Sequence, residues 1–140
     1  LAGMRCGYAI GDAALIEGLE RMKDCFNSYP VDSVCQAVCA AAISDRDYYA
    51  GANTLVVEER GRLTRELRAR GFDVLPSGAN FVFARHARTG GKTVYTQLKK
   101  RGVLVRHFDK PRIAAFCRIT VGSRSQNDAL LAALDEFIAK

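Results

Sequence analysis

The hydrophobic period of this chain changes at Gly71, and that change restricts the fold more than any other feature. Before it, apolar residues recur every three to four positions, as on amphipathic helices. After it they alternate, as on half-buried strands. Phe72–Leu75 reads as a short strand ahead of Pro76, and Asn80–Ala84 as a stronger one. A Gly- and Thr-containing loop leads into a helix from Thr93 to Arg101, closed by Gly102. Val103–His107 and Phe116–Val121 are two further strands, the second ended by Gly122. Ser125 opens a final helix carrying Leu130, Leu134, Phe137 and Ile138, with Asp128 supplying a carboxylate to its positive N-terminal end. Strand, strand, helix, strand, strand, helix behind a long helix predicts an α/β fold. It is an α+β sandwich, a mostly antiparallel sheet with one face covered by helices.

The first half reads as a small-residue turn over Leu1–Gly7, then a short buried strand over Tyr8–Gly11. Gly11-Asp12 caps an amphipathic helix over about residues 12–24, through Leu15, Ile16, Leu19 and Met22. Asn27-Ser28-Tyr29-Pro30 breaks it. A second helix runs through Val34, Val38 and Ala42, and its alanines and cysteines suit close burial. Ser44-Asp45 caps a long helix to Arg70 with an apolar stripe of Tyr49, Ala52, Val56, Leu63 and Leu67. Gly51 and Gly61 each cost it about 1 kcal/mol relative to alanine, so a bend or break is expected in its middle. The division expected is near residue 44, into segments 1–44 and 45–140.

Composition narrows the partners. No apolar run approaches the roughly 20 residues of a membrane span, and no membrane partner is expected. The net charge of +6 admits anionic ligands. Arg60, Arg62, Arg65, Arg68 and Arg70 are interleaved with Glu58, Glu59 and Glu66, which describes a solvated helix face, so nucleic acid is not expected. A free-standing basic module binding nucleic acid through residues 58–70 is the alternative from another class. Five cysteines in no scaffold spacing fit free thiols in a reducing cytosol, hence a cytoplasmic protein. Cys35 and Cys39 share a helix face, but His86 and His107 lie far off, and no metal is expected.

Three arginines and one loop are candidates for chemistry. Thr89-Gly90-Gly91-Lys92-Thr93 imitates the end of a phosphate-binding loop, but the position that requires the first glycine holds His86. Arg5 lies between Gly3 and Gly7, where it could fork onto a phosphate or carboxylate or simply be solvated. On the late strands, Val103 and Val105 share one face with Arg106 opposite. Cys117, Ile119 and Val121 share one face with Arg118 and Thr120 opposite. If these strands pair, Arg106 and Arg118 could converge on an anion. Otherwise they are two arginines facing solvent on an open sheet.

These segments resemble a known family. Leu1-Ala2-Gly3-Met4-Arg5-Cys6-Gly7-Tyr8 is similar to the segment following the cofactor lysine of fold-type I pyridoxal-phosphate aminotransferases. Arg118-Ile119-Thr120-Val121-Gly122 resembles their late Arg-Ile-[Thr/Ser]-x-Gly strand. Pro76-Ser77-Gly78-Ala79-Asn80-Phe81-Val82 and Gly102-Val103-Leu104-Val105-Arg106 resemble two strands of the histidinol-phosphate aminotransferases. One stretch departs: Tyr29-Pro30-Val31-Asp32 stands where relatives show Pro-[Tyr/Phe]-Asn-Val.

The resemblance implies that residues 1–44 are the C-terminal tail of the large cofactor-binding domain and 45–140 the small C-terminal domain. It implies pyridoxal phosphate as cofactor, with Arg5 on its phosphate. Arg118 would bind the substrate carboxylate and, with Arg106, the substrate phosphate. No catalytic residue is expected within the chain, because the cofactor lysine would lie just upstream of Leu1, and the 140 residues alone are expected to be inactive. The implied partners are small molecules (glutamate and a phosphorylated amino alcohol or keto compound) and a second copy in a homodimer. A domain that keeps the fold without the chemistry is the remaining alternative.

Overall fold

A computed structural model of the chain describes residues 2–27 and 31–138. It divides into two compact units, Leu1–Ala50 and Gly51–Lys140.

The first unit is helical. A 3-10 turn over Ala2–Met4 precedes helix α1 (Ala13–Phe26), helix α2 (Ser33–Ser44) and the start of helix α3 (Arg46–Ala69). Aspartates open these helices by accepting otherwise orphaned backbone N–H groups. Asp12 accepts from Ala14 N at 3.0 Å, Asp32 from Cys35 N at 2.8 Å and Asp45 from Tyr48 N at 3.3 Å. The expected break after α1 falls largely on residues 28–30, outside those described, and Asn27 closes the helix.

Two expectations fail in this unit. Tyr8–Gly11 is not a buried strand: it makes no ladder, and Tyr8 and Ile10 are 86% and 88% exposed. A strand needs a neighbour to take its N–H and C=O groups, and no described strand pairs with it. Helix α2 is not closely buried either. Cys35 and Cys39 are buried, but Val34, Val38 and Ile43 are exposed. Helix α1 has the expected amphipathic pattern, yet its stripe of Leu15, Leu19 and Met22 faces out. The periodicity is present; the layer that would cover it is not among the described residues.

The second unit is the predicted sandwich. Strands β1 (Phe72–Val74), β2 (Phe81–His86), β3 (Arg106–His107) and β4 (Cys117–Thr120) form one antiparallel sheet in the order β1-β2-β4-β3. Helices α4 (Gly91–Lys100) and α5 (Arg124–Asp135) join the later turns of α3 in a core with one sheet face. Leu63 and Leu67 meet Phe72, Val74, Val82, Ala84, Cys117 and Ile119 there, together with Val94, Leu98 and Leu134. Helix α3 is continuous through Gly51 and Gly61, against the expected break. Near Gly61, burial of Leu63 and Leu67 outweighs the local glycine penalty of about 1 kcal/mol.

Strand β3 is shorter than expected. Val103 and Val105 do pack on the core, but only Arg106 and His107 pair with β4. A cleft of about 350 Å³ lies between residues 102–105, Ile119–Thr120 and the first turns of α5. Gly71 takes φ +82° in the turn from α3 to β1, a conformation that glycine adopts without strain.

A polar cluster ties α3 to the start of α5. Glu59 receives hydrogen bonds from Arg62 and from the buried Asn127, both at 2.8 Å, and Arg62 also reaches Asp128 at 2.7 Å. Asp128, read as a charge on a helix end, is therefore also half of a long-range ion pair. Hydrogen bonds from Arg62 and then Asn127 hold the Glu59 carboxyl below its ordinary value. A carboxyl depressed in the folded state adds stability above its unfolded pKa of about 4.3 and loses it as pH falls through the folded value. The stability gap between the chain and Glu59→Gln, read from urea midpoints, should therefore shrink on acidification from pH 6 to pH 3. A gap independent of pH would refute this role.

Candidate anion-binding site

The sheet alternates, so every residue that sends Cβ away from the core builds a second face. On β2 these are Phe81, Phe83 and Arg85, on β4 Arg118 and Thr120, and on β3 Arg106. The register places Arg106 directly opposite Arg118, with Phe83 on the other side of Arg118. The two strands do pair, and Arg106 and Arg118 stand side by side on the face away from the core.

Two like charges directly opposite each other on a sheet repel. Aromatic rings support them here. The Arg118 guanidinium carbon lies 5.4 Å from the Phe81 ring centre and 6.0 Å from that of Phe108, and the Arg106 carbon lies 5.3 Å from Phe108. Each ring face attracts a cation by about 0.5–1 kcal/mol at an exposed site. Among the described residues no carboxylate pairs with either arginine. Arg85, on the same face, differs: it pairs with Asp73 at 3.0 Å and lies over Phe116. The sheet thus presents two forked donors without a counter-charge, both leaning on one phenylalanine. A phosphate or carboxylate would complete it.

Arg5 sits in the first unit. It adopts φ 58°, the one non-glycine residue with positive φ among those described. Such a conformation costs on the order of 1 kcal/mol or more and is found where function fixes the backbone. Arg5 is exposed, and its side chain makes no hydrogen bond or ion pair with a described residue. With Lys23, Asn27, Asp32 and Cys35 it lines a cleft of about 410 Å³. Lys23 pairs with Asp24 at 3.3 Å, and one Asp32 oxygen is taken by the helix cap. The donor set suits a phosphate group.

The family model for class I and II aminotransferases matches residues 1–134. The chain belongs to this family. It is 52% identical over 138 residues to histidinol-phosphate aminotransferase 2 of Rhizobium meliloti (strain 1021), covering 99% of the chain and 39% of the relative. It is 54% identical over 138 residues to histidinol-phosphate aminotransferase 1 of Bradyrhizobium diazoefficiens, again covering 99% and 39%. A solved histidinol-phosphate aminotransferase from Sinorhizobium meliloti, in complex with pyridoxal-5'-phosphate, matches with a TM-score of 0.80 and 25% identity, covering 99% of the chain and 38% of that structure. The chain thus spans about two fifths of the length of the relatives it matches.

Other basic features of this aminotransferase chain have structural work. Gly91 starts α4 against a neighbouring backbone: a Cβ there would meet the Ala114 carbonyl oxygen at 2.7 Å and that of Ala115 at 2.8 Å. Gly91 of the imitation phosphate loop is thus needed for packing, with carbonyl oxygens facing it, while a Cβ at Gly90 would meet open space. Along α3, Arg60 donates to Ala79 O, Arg68 to Val74 O, and Arg70 to Glu66 and Asp135. Those arginines are tied into the fold rather than arrayed as free cations.

Sequence reading missed Phe81 and Phe108 as parts of the site. Phe81 carried a signal, since its parity points away from the core. Phe108 lies just past a two-residue strand, so no period marked it. Lys23 was missed because only folding brings it to the cleft of Arg5.

Proposed function

We propose that the full-length protein is a pyridoxal-phosphate-dependent histidinol-phosphate aminotransferase. It exchanges an amino group between glutamate and imidazole-acetol phosphate in histidine biosynthesis. The observation that carries this reading is the cross-strand pair Arg106 and Arg118, set on Phe81 and Phe108 without a carboxylate partner among the described residues. Relatives about 50% identical that bear this enzyme's name support it.

When bound, pyridoxal phosphate supplies the electron sink for the substrate carbon that loses its proton. This chain's residues bind and orient. Arg5 holds the cofactor phosphate, helped by the charge of Lys23. Arg118 takes the glutamate carboxylate and, with Arg106, the phosphate of histidinol phosphate, so one anion site serves both half-reactions. Phe81 and Phe108 restrict the arginine rotamers, which lowers the ordering cost of binding.

In this reading residues 1–44 belong to the large cofactor domain and 45–140 form the small one. The outward apolar face of Tyr8, Ile10, Leu15, Leu19 and Met22 supports the first assignment, since exposed patches of this kind mark contact surfaces. The cofactor lysine lies upstream of Leu1, and the 140 residues alone are inactive. The working enzyme is a cytoplasmic homodimer.

The test is an assay of the full-length protein with histidinol phosphate and 2-oxoglutarate. Formation of glutamate is expected. An enzyme that aminates other keto acids but leaves histidinol phosphate untouched would overturn the substrate.

A further inference from the structure

A group of side chains outside the arginine site is also brought together by the fold. Cys35 and Cys39 lie one turn apart on α2, both buried, with their sulfurs 3.8 Å apart. Cys6, half-buried in the segment after the 3-10 turn, adds a third sulfur, and all three lie within 4.8 Å of one another. Among the described residues no other three histidine, cysteine or carboxylate groups gather closely enough to share an ion.

We propose that Cys6, Cys35 and Cys39 form a three-thiolate site for one zinc-class metal ion. Metal–sulfur bonds of about 2.3 Å in a tetrahedron place the sulfurs about 3.8 Å apart. Cys35 and Cys39 already have that separation. Cys6 lies outside any helix or strand, so its sulfur can close the remaining distance by a small movement. Thiolates select zinc and similar soft cations over magnesium or calcium.

The surroundings suit the charge. A divalent ion with three thiolates carries one net negative charge, and Arg5 and Lys23 line the cleft that reaches Cys35, the cleft also proposed for the cofactor phosphate; the Cys35 thiol, which donates to Met4 O at 2.9 Å, gives up that hydrogen bond on binding. On binding, three S–H protons leave to solvent, three metal–sulfur bonds form, and the metal keeps its oxidation state. Sequence spacing did not reveal the site, because Cys6 joins the helical pair only through the tertiary fold.

The test uses the full-length protein, stripped of metal and titrated with cadmium while sulfur-to-metal charge-transfer absorption is recorded. Zinc is then added as competitor. One cadmium per chain is expected at this site, displaced by zinc. Cys6→Ala and Cys39→Ala should each weaken binding at least about tenfold, or about 1.4 kcal/mol, while Cys25→Ala leaves it unchanged. Cys6 is half-buried, so in the metal-free protein Cys6→Ala should keep the wild-type melting temperature and report on metal rather than folding. Absence of the charge-transfer band, or a band unaffected by Cys6→Ala and Cys39→Ala, would overturn the site and leave three thiols that only pack.

Discussion

Arg118→Ala in the full-length enzyme is expected to lower kcat/KM by about 10²-fold or more, for both glutamate and histidinol phosphate. A charge-assisted hydrogen bond contributes about 1.5–3 kcal/mol, and a forked guanidinium makes two. Exposure on the sheet reduces that sum, and about 3 kcal/mol survives, or roughly 10²-fold. Arg106→Ala should act on the phosphorylated substrate alone, because the proposed glutamate contact belongs to Arg118. Neither change should lower thermal stability, since both side chains lie off the core face and removing either relieves like-charge repulsion. Steady-state kinetics with each substrate, beside a melting curve, checks this. Unchanged kinetics for Arg118→Ala would remove the site from the reaction.

The second large effect concerns stability. Leu134→Ala should cost about 2–5 kcal/mol, the range for truncating a buried leucine. Leu134 is fully buried among the residues of α3, α4, α5 and the sheet, so no solvent-facing element can relax into the space. The urea midpoint should fall accordingly, with the slope unchanged. A loss below about 1 kcal/mol would mean that the core of residues 51–140 is less closely packed than the structure describes.

Much of the second unit was legible because its signals are local. Alternation in β4 put Cys117 and Ile119 on one face and Arg118 on the other, whereas β2 was marked only as an apolar strand over Asn80–Ala84. Strand register is not local. Nothing in Val103–His107 says that Arg106 will stand opposite Arg118, because pairing depends on how residues 108–116 turn back. That turn also places Phe108, which no period could mark. The long helix α3 was read correctly, but the break allowed for at Gly51 and Gly61 does not occur; near Gly61 propensity yields to the burial of Leu63 and Leu67. Tyr8–Gly11 failed for the opposite reason: a strand-like pattern was read correctly as apolar, but pattern does not supply a partner strand. In the first unit the helices were found and their burial was not, since amphipathicity shows that a face wants covering without showing what covers it.

We propose that the full-length protein uses pyridoxal phosphate to move an amino group from a phosphate-bearing substrate gripped by Arg106 and Arg118. The most direct test is a single-turnover absorption measurement on the cofactor-loaded, full-length protein, mixed first with histidinol phosphate and then with histidinol. Rapid conversion of the bound cofactor to its aminated form by histidinol phosphate is expected. Histidinol, which lacks the phosphate, should react at least about 10²-fold less efficiently, because the arginine pair loses its charged partner. Equal conversion by both, or none by either, would contradict it.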